Sequence, residues 1–206
     1  MARVTSPLLS LDASGSVGKA ITFAKWRGRN YVRRLVVPAN PKTPLQVAMR
    51  AGLRFVTQYW QFIDTADQNG WATLAAGDNI TLLNASVRYN QNEVRQGRYP
   101  ISSPLQGSQT TPSAPTDDSS VGGYRQITLN WAAGGNAPTQ GWAIYRSEDT
   151  MITPGPATLI RMVDASLLSF IDTGLLDGTT YYYYIIGFNL NGEAGPASSE
   201  IEVTTD

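Results

Sequence analysis

The chain contains no cysteine and no histidine. The first absence excludes disulfides, thiolate nucleophiles and cysteine-ligated zinc. The second removes the commonest general base near neutral pH and the commonest transition-metal ligand. Long apolar runs are also missing, so no transmembrane helix is expected. The stretch Met1–Leu11 lacks the apolar core of a secretory signal, because Ser6-Pro7 and then Asp12 interrupt it, and no export signal is expected. Net charge is absent as well, with 16 Lys and Arg against 16 Asp and Glu.

That neutrality hides a division. Residues 1–110 hold 13 Lys and Arg against 5 Asp and Glu, a surplus of eight positive charges, and residues 111–206 hold 3 against 11, a surplus of eight negative ones. Within the first 50 residues nine basic side chains face only Asp12. Such asymmetry points to a basic end built for an acidic partner: nucleic acid, an acidic protein surface, or the acidic half of another copy. With 206 residues, 42% of them hydrophobic, the chain can bury a core and form one or two domains.

The most informative stretch is Gly174-Leu-Leu-Asp-Gly-Thr-Thr-Tyr-Tyr-Tyr-Tyr-Ile-Ile-Gly-Phe-Asn189. Side chains alternate across a strand, so Tyr181, Tyr183 and Ile185 share one face while Tyr182, Tyr184, Ile186 and Phe188 share the other. Both faces are apolar. Either the linker or the N-terminal half folds back over the outward row, or the row, joined by Tyr145 and Ala143 of the adjacent strand, waits for a partner. The rarity of such exposed patches favours an intersubunit or host-surface contact.

The same stretch resembles the sixth strand of a fibronectin type III domain, with Tyr181 in the tyrosine-corner position and Asp177 where that family prefers proline. Ile127-Thr-Leu-Asn-Trp131, Trp142-Ala-Ile-Tyr-Arg146, Phe170-Ile-Asp-Thr-Gly-Leu175, the hairpin dipeptide Asn191-Gly192 and the last strand from Glu200 to Thr204 extend the resemblance over residues 112–206. It implies a seven-stranded sandwich with Trp131, Ile144, Tyr181 and Ile185 in its core. It also implies a spacer or adhesion module without chemistry of its own.

Ahead of it, Lys19–Trp26 and Tyr31–Val37 are β-rich runs around the turn Arg27-Gly28-Arg29-Asn30. Thr43, Pro44 and Gln46 open a helix, and Leu45, Ala48, Met49, Gly52, Phe55, Val56, Tyr59, Phe62 and Ile63 then recur at helical spacing. Thr65 with Gln68 repeats the capping pattern before Trp71, Leu74 and Ala75, and Asn84 is placed to cap a third helix. Residues 99–111, rich in Pro, Ser, Gly and Thr, read as a linker. The expected class is therefore mainly β: a fibronectin type III (immunoglobulin-like) sandwich at 112–206 and a small basic α+β domain at 1–98, with a hairpin and two to three helices.

Leu9-Ser-Leu-Asp-Ala-Ser-Gly-Ser-Val-Gly18, Phe23-Ala-Lys-Trp-Arg-Gly-Arg29 and Asn40-Pro-Lys-Thr-Pro44, followed by an aromatic helix and Trp71, are similar to virion-associated proteins of tailed bacteriophages. This resemblance spans roughly residues 7–90 and implies a structural role on a phage particle.

Several motifs carry no chemistry. Gly15-Ser-Val-Gly18-Lys19-Ala20 imitates a phosphate-binding loop, but Ala13 stands where glycine is required and Ala20 where a magnesium-ligating hydroxyl is required. Asn79-Ile-Thr81 and Asn84-Ala-Ser86 match glycosylation sequons, yet a chain without an export signal does not meet that machinery. Adjacent carboxylates at Asp117-Asp118 and Glu148-Asp149 point apart on a strand, and together with Asp172 they offer no metal-loop spacing. No catalytic, cofactor or metal residues are expected, and the chain reads as a non-enzyme.

The candidate interface residues are the basic cluster Lys25, Trp26, Arg27, Arg29, Arg33 and Arg34 and the apolar row Tyr145, Tyr182, Tyr184, Ile186 and Phe188. Cations beside rings suit carboxylate pairing at a protein contact, and they also suit nucleic acid. Three roles follow. The favoured one is a virion protein, a capsid decoration or a head–neck or collar accessory that assembles in the cytoplasm. Its partners would be capsid, portal, neck or tail proteins and other copies of itself. The others are a bacterial surface adhesion or glycan-binding protein and a DNA-binding accessory factor.

Overall fold

A computed structural model describes residues 14–17, 20–36, 39–150 and 153–206. The chain divides into two compact units, Met1–Pro41 and Lys42–Asp206. The parts of the expected motifs at residues 9–13, at Gly18 and Lys19 and at Val37 lie outside the described residues.

The described residues of the first unit form a three-stranded antiparallel meander of β1 (Gly15–Val17), β2 (Ile21–Trp26) and β3 (Arg29–Arg34), in that order across the sheet. Arg27 and Gly28, with φ of 49° and 75°, form the two-residue turn between β2 and β3. Positive φ at both central residues gives that turn the twist of the strands it joins. Arg29 and Asn30, expected in the turn, are already paired with Trp26 and Lys25.

The second unit begins with α1 (Pro44–Tyr59), α2 (Thr65–Asn69), α3 (Ala72–Asp78) and α4 (Leu82–Arg95), one helix more than expected. The expected start of α1 is correct, although Thr43 makes no side-chain cap bond and Pro44 stands at the first helical position. Two other caps are displaced. Asp64, not Thr65, accepts from the Asp67 backbone N–H at 2.8 Å, and Thr81, not Asn84, caps α4 by accepting from the Asn84 N–H at 3.2 Å. In each case a residue three positions upstream of the donor reaches it from extended backbone.

The described residues form twelve strands, and the sandwich uses β4 to β12. One sheet is formed by β4 (Thr116–Asp117), β5 (Val121–Gly123), β6 (Gln126–Ala132) and β9 (Ser169–Thr173), with β6 at its centre. The other holds β7 (Gly141–Ser147), β8 (Leu159–Asp164), β10 (Thr180–Phe188), β11 (Ala194–Ala197) and β12 (Ile201–Thr204), in which β7 lies between β8 and β10. β4 and β5 pair with one edge of β6 and amount to a single edge strand broken near Ser119, whose φ is 63°. β11 and β12 likewise divide the other edge of β10. Counted this way, three strands face four, the expected seven.

Trp131, Ile144, Tyr181 and Ile185 all lie in the core between the sheets, where the Trp131 and Trp142 rings meet edge to face at 6.1 Å. The Tyr181 hydroxyl accepts from the Leu176 backbone N–H at 3.1 Å, closing the tyrosine corner.

Candidate functional site

The doubly apolar strand β10 is covered on both sides. Register places Tyr184 opposite Tyr145, Ile186 opposite Ala143 and Phe188 opposite Gly141. Tyr145, Ile186 and Phe188 are buried in a second core with Ala48, Phe55 and Val56 of α1 and Val94 of α4. The Phe55 ring meets Phe188 edge to face at 5.4 Å, and Tyr99 stacks on Phe188 at 5.2 Å. Two glycines permit this approach. A Cβ on Gly141 would stand 2.9 Å from the Phe55 ring, and one on Gly52 would stand 2.9 Å from a Val94 methyl.

The expected intersubunit row is thus an internal interface between sheet and helices, and Tyr145, Ile186 and Phe188 have no surface to offer a partner. Tyr182 and Tyr184 remain half-buried, with the Tyr184 hydroxyl donating to Glu200 at 3.0 Å. Burial, with Tyr99 beside it, pushes the Tyr145 hydroxyl pKa up, so the Tyr99–Tyr145 hydroxyl bond of 2.8 Å joins two neutral groups.

Residues 99–111 take part in this interface rather than linking separate domains. The Asn90 side chain donates to the Ile101 carbonyl and accepts from its N–H, Trp71 Nε1 donates to the Ser102 carbonyl at 2.9 Å, and the Ser102 N–H donates to Leu190. Farther along, Asn191 donates to the Gly107 carbonyl and Asn189 to that of Thr110. Composition rich in Pro, Ser and Gly suits a free linker equally well. Here the segment's backbone polar groups are bonded to side chains remote in sequence, which composition cannot reveal.

The basic cluster lies on the meander, and strand alternation divides it. Trp26, Arg29, Tyr31 and Arg33 share one face with Thr22 and Ala24, while Lys25 and Arg34 share the other with Ile21, Phe23 and Val32. Arg33 and Arg34 are therefore not one patch. Arg27 lies in the turn with its guanidinium 4.7 Å from the centre of the Trp26 ring. All five cations and Trp26 are exposed, Trp26 by 64%. Among the described residues of this sheet none is buried, although it carries Ile21, Phe23, Trp26, Tyr31 and Val32.

Among the described residues, buried Asp172 anchors a structural network. Arg146 donates to Asp172 at 2.7 Å, Tyr183 donates to the same oxygen at 3.0 Å, and the guanidinium lies 5.5 Å from the Tyr181 ring centre. Burial opposes the Arg146 charge, but the Asp172 carboxylate outweighs it and leaves the guanidinium pKa above its ordinary value. Burial and the same carboxylate push the Tyr183 pKa up. The two bonds to one carboxylate oxygen tie Arg146, Asp172 and Tyr183 together and hold these side chains in place. Among the described residues no group of three acidic side chains could hold a metal ion, and no helix is long and apolar enough to cross a membrane.

No family model matches the chain. Exoglucanase B of Cellulomonas fimi is 30% identical over 100 residues, which cover 47% of this chain and 8% of that protein. Among solved structures, a Fn3-like protein from Clostridium thermocellum is 26% identical over 47% of this chain and 96% of its own, with a TM-score of 0.37. A β-1,2-glucanase from Parabacteroides distasonis is 17% identical over 50% of this chain and 14% of its own, with a TM-score of 0.43. The chain thus spans a small part of either glucanase. By strand order and tyrosine corner, its C-terminal half is a fibronectin type III sandwich.

Proposed function

We propose that this chain is a non-enzymatic structural component of a bacteriophage particle, attached through its basic β-meander and carrying the helix-backed sandwich as a rigid body. The observation that carries this reading is a sheet with aromatic and branched residues on both faces and no buried member among those described. A sheet of three short strands needs an apolar face covered to be stable. The cations around those residues suit a partner surface bearing carboxylates, which Arg engages bidentately. The place on a phage particle rests on the resemblance of residues 7–90 to virion-associated proteins.

The test uses single reversals, because the two arginines lie on opposite faces. Full-length Arg33→Glu and Arg34→Glu variants are offered to particles lacking the wild-type chain, and occupancy is measured by quantitative gel and electron microscopy. One reversal is expected to reduce occupancy strongly and so identify the attaching face. Normal occupancy by both variants removes the proposal. Tight, steeply salt-dependent duplex binding lost on either reversal would support a DNA-binding role instead.

The match to exoglucanase B supports a second reading, in which the sandwich is a module of a polysaccharide-associated protein. Retention on an insoluble polysaccharide, without particle binding, would favour it.

A further inference from the structure

We infer that the cleft between the C-terminal end of α1 and the β8–β9 connection binds a short oligosaccharide bearing a carboxylate. The inference concerns residues within 42–206 alone and stands or falls separately from attachment through the meander.

The cleft has a volume of about 780 Å³, within the range of small-ligand sites. Its apolar lining includes buried Met162, on the helix-facing side of β8, and the Tyr59 ring, which stacks on Phe55 at 5.4 Å with the planes 10° apart. At its mouth Phe62 is 76% exposed and Leu167 50% exposed. The helical spacing places Phe62 with the core stripe of α1, but the helix ends at Tyr59 and leaves the ring in water. An exposed flat ring beside a shallow floor offers a face to stack on rather than a hole to fill. That geometry fits the C–H face of a sugar ring better than the apolar anchor of a peptide.

The polar lining points the same way. Gln58 and Gln61 are uncharged groups that both donate and accept, as sugar hydroxyls require, and the Thr139 and Ser166 hydroxyls beside them add a donor and an acceptor respectively. Tyr59 keeps its proton as a further donor, its pKa pushed up to about 12 by burial, with Asp164 and Asp67 adding to the shift.

The charge preference comes from Arg161. Its Nε is buried without a hydrogen-bond partner, and burial together with the nearby Arg54 charge works against its protonated form. The neighbouring carboxylate does not relieve it: Asp164 Oδ1 accepts from the Ser166 N–H at 2.9 Å and from its hydroxyl at 2.7 Å. A carboxylate arriving with the ligand beside Arg161 would offset the like-charge repulsion from Arg54.

The test is calorimetric titration of the full chain with tetragalacturonate, a hyaluronan tetrasaccharide and the neutral methyl ester of tetragalacturonate. At least one acidic probe should bind at micromolar to millimolar concentration, and esterification should weaken binding about fivefold. Phe62→Ala, at an exposed position, should weaken the acidic ligand about tenfold. Arg161→Met should bring acid and ester to equal affinity. Where Arg161→Met melts early, amide chemical-shift changes in the wild type replace it, expected around residues 58–62 and 161–167. Binding of neither acidic probe, a preference for acid that survives Arg161→Met, or shift changes confined to another surface would overturn the inference. Tighter binding of an acidic peptide than of either saccharide would overturn it too.

Discussion

The sheet built on β7 and β10 and the meander of β1 to β3 both place aromatic and branched side chains on two faces, yet they differ in what the chain does with them. In the first, Ile144, Tyr183 and Ile185 pack against the opposing sheet while Tyr145, Ile186 and Phe188 pack against α1 and α4. In the second, Phe23, Val32, Tyr31 and Trp26 lie across two faces and none is buried. Apolarity on both faces therefore says that both need cover. It does not say whether the cover is intramolecular. In the larger sheet it is supplied by helices about 50 to 130 residues away in sequence. In the meander none of the described residues is buried, and their apolar side chains, set among cations, are the basis for the proposed attachment.

That comparison can be broken at its strongest point. Phe188→Ala removes the ring that joins β10 to α1, and Trp131→Ala removes one from the core between the sheets. Each should cost about 3–5 kcal/mol in urea unfolding. A much smaller loss for Phe188→Ala would mean that the helical cover contributes little and that the strand is held from one side only.

Asp172→Ala leaves Arg146 without its partner and Tyr183 without its acceptor. Because Arg146 is partly open to solvent, the expected loss is about 2–3 kcal/mol, at or below the range for fully buried pairs. Thr81→Ala removes the cap of α4 and should cost about 1 kcal/mol. A Thr81→Ser variant should recover most of it, which separates capping from packing.

The alkaline limb probes the cleft side of the helical layer. Tyr59 has its pKa raised from 10.0 to about 12, so between those values the unfolded chain has lost a proton that the folded chain retains. Stability from this group is complete below pH 10 and lost as pH rises through 12. Tyr59→Phe should flatten part of that decline in melts recorded across the interval. The smallest effect belongs to the meander: Arg33→Glu and Arg34→Glu should shift the unfolding of the helix-backed sandwich by no more than about 0.5 kcal/mol. A larger shift would show that the basic surface supports the fold.

Much of the sandwich was legible because its signals are local. Leu176 and Tyr181 are five residues apart and close the corner by themselves, and the alternation from Ile127 to Trp131 places three side chains in the core. The start of α1 followed from Pro44 for the same reason. The helix caps were missed by one and three positions because Asp64 and Thr81 compete with similar residues beside them, and only backbone geometry chooses. The basic cluster was legible as composition but not as a surface, although the alternation that separates Arg33 from Arg34 is a sequence rule. Among the cleft residues, Phe62 was hidden within a helical stripe and Arg161 carried no motif.

By itself the sequence determined the β2–β3 hairpin, the start of α1, the main strands β6, β7 and β10 of the sandwich, which residues close the tyrosine corner, and that β10 must be covered on both faces. These follow from propensity, alternation and turn chemistry within about ten residues. Only the tertiary structure decided that α1 and α4 provide the cover, that residues 99–111 are bonded into it rather than free, and that Phe62 stays in water. Those outcomes depend on contacts between segments distant in the chain, such as Phe55 with Phe188 and Asn191 with Gly107. Nothing in the local pattern of either partner encodes such a contact, because packing selects among many apolar surfaces of similar size by shape and by the hydrogen bonds that must be satisfied around them.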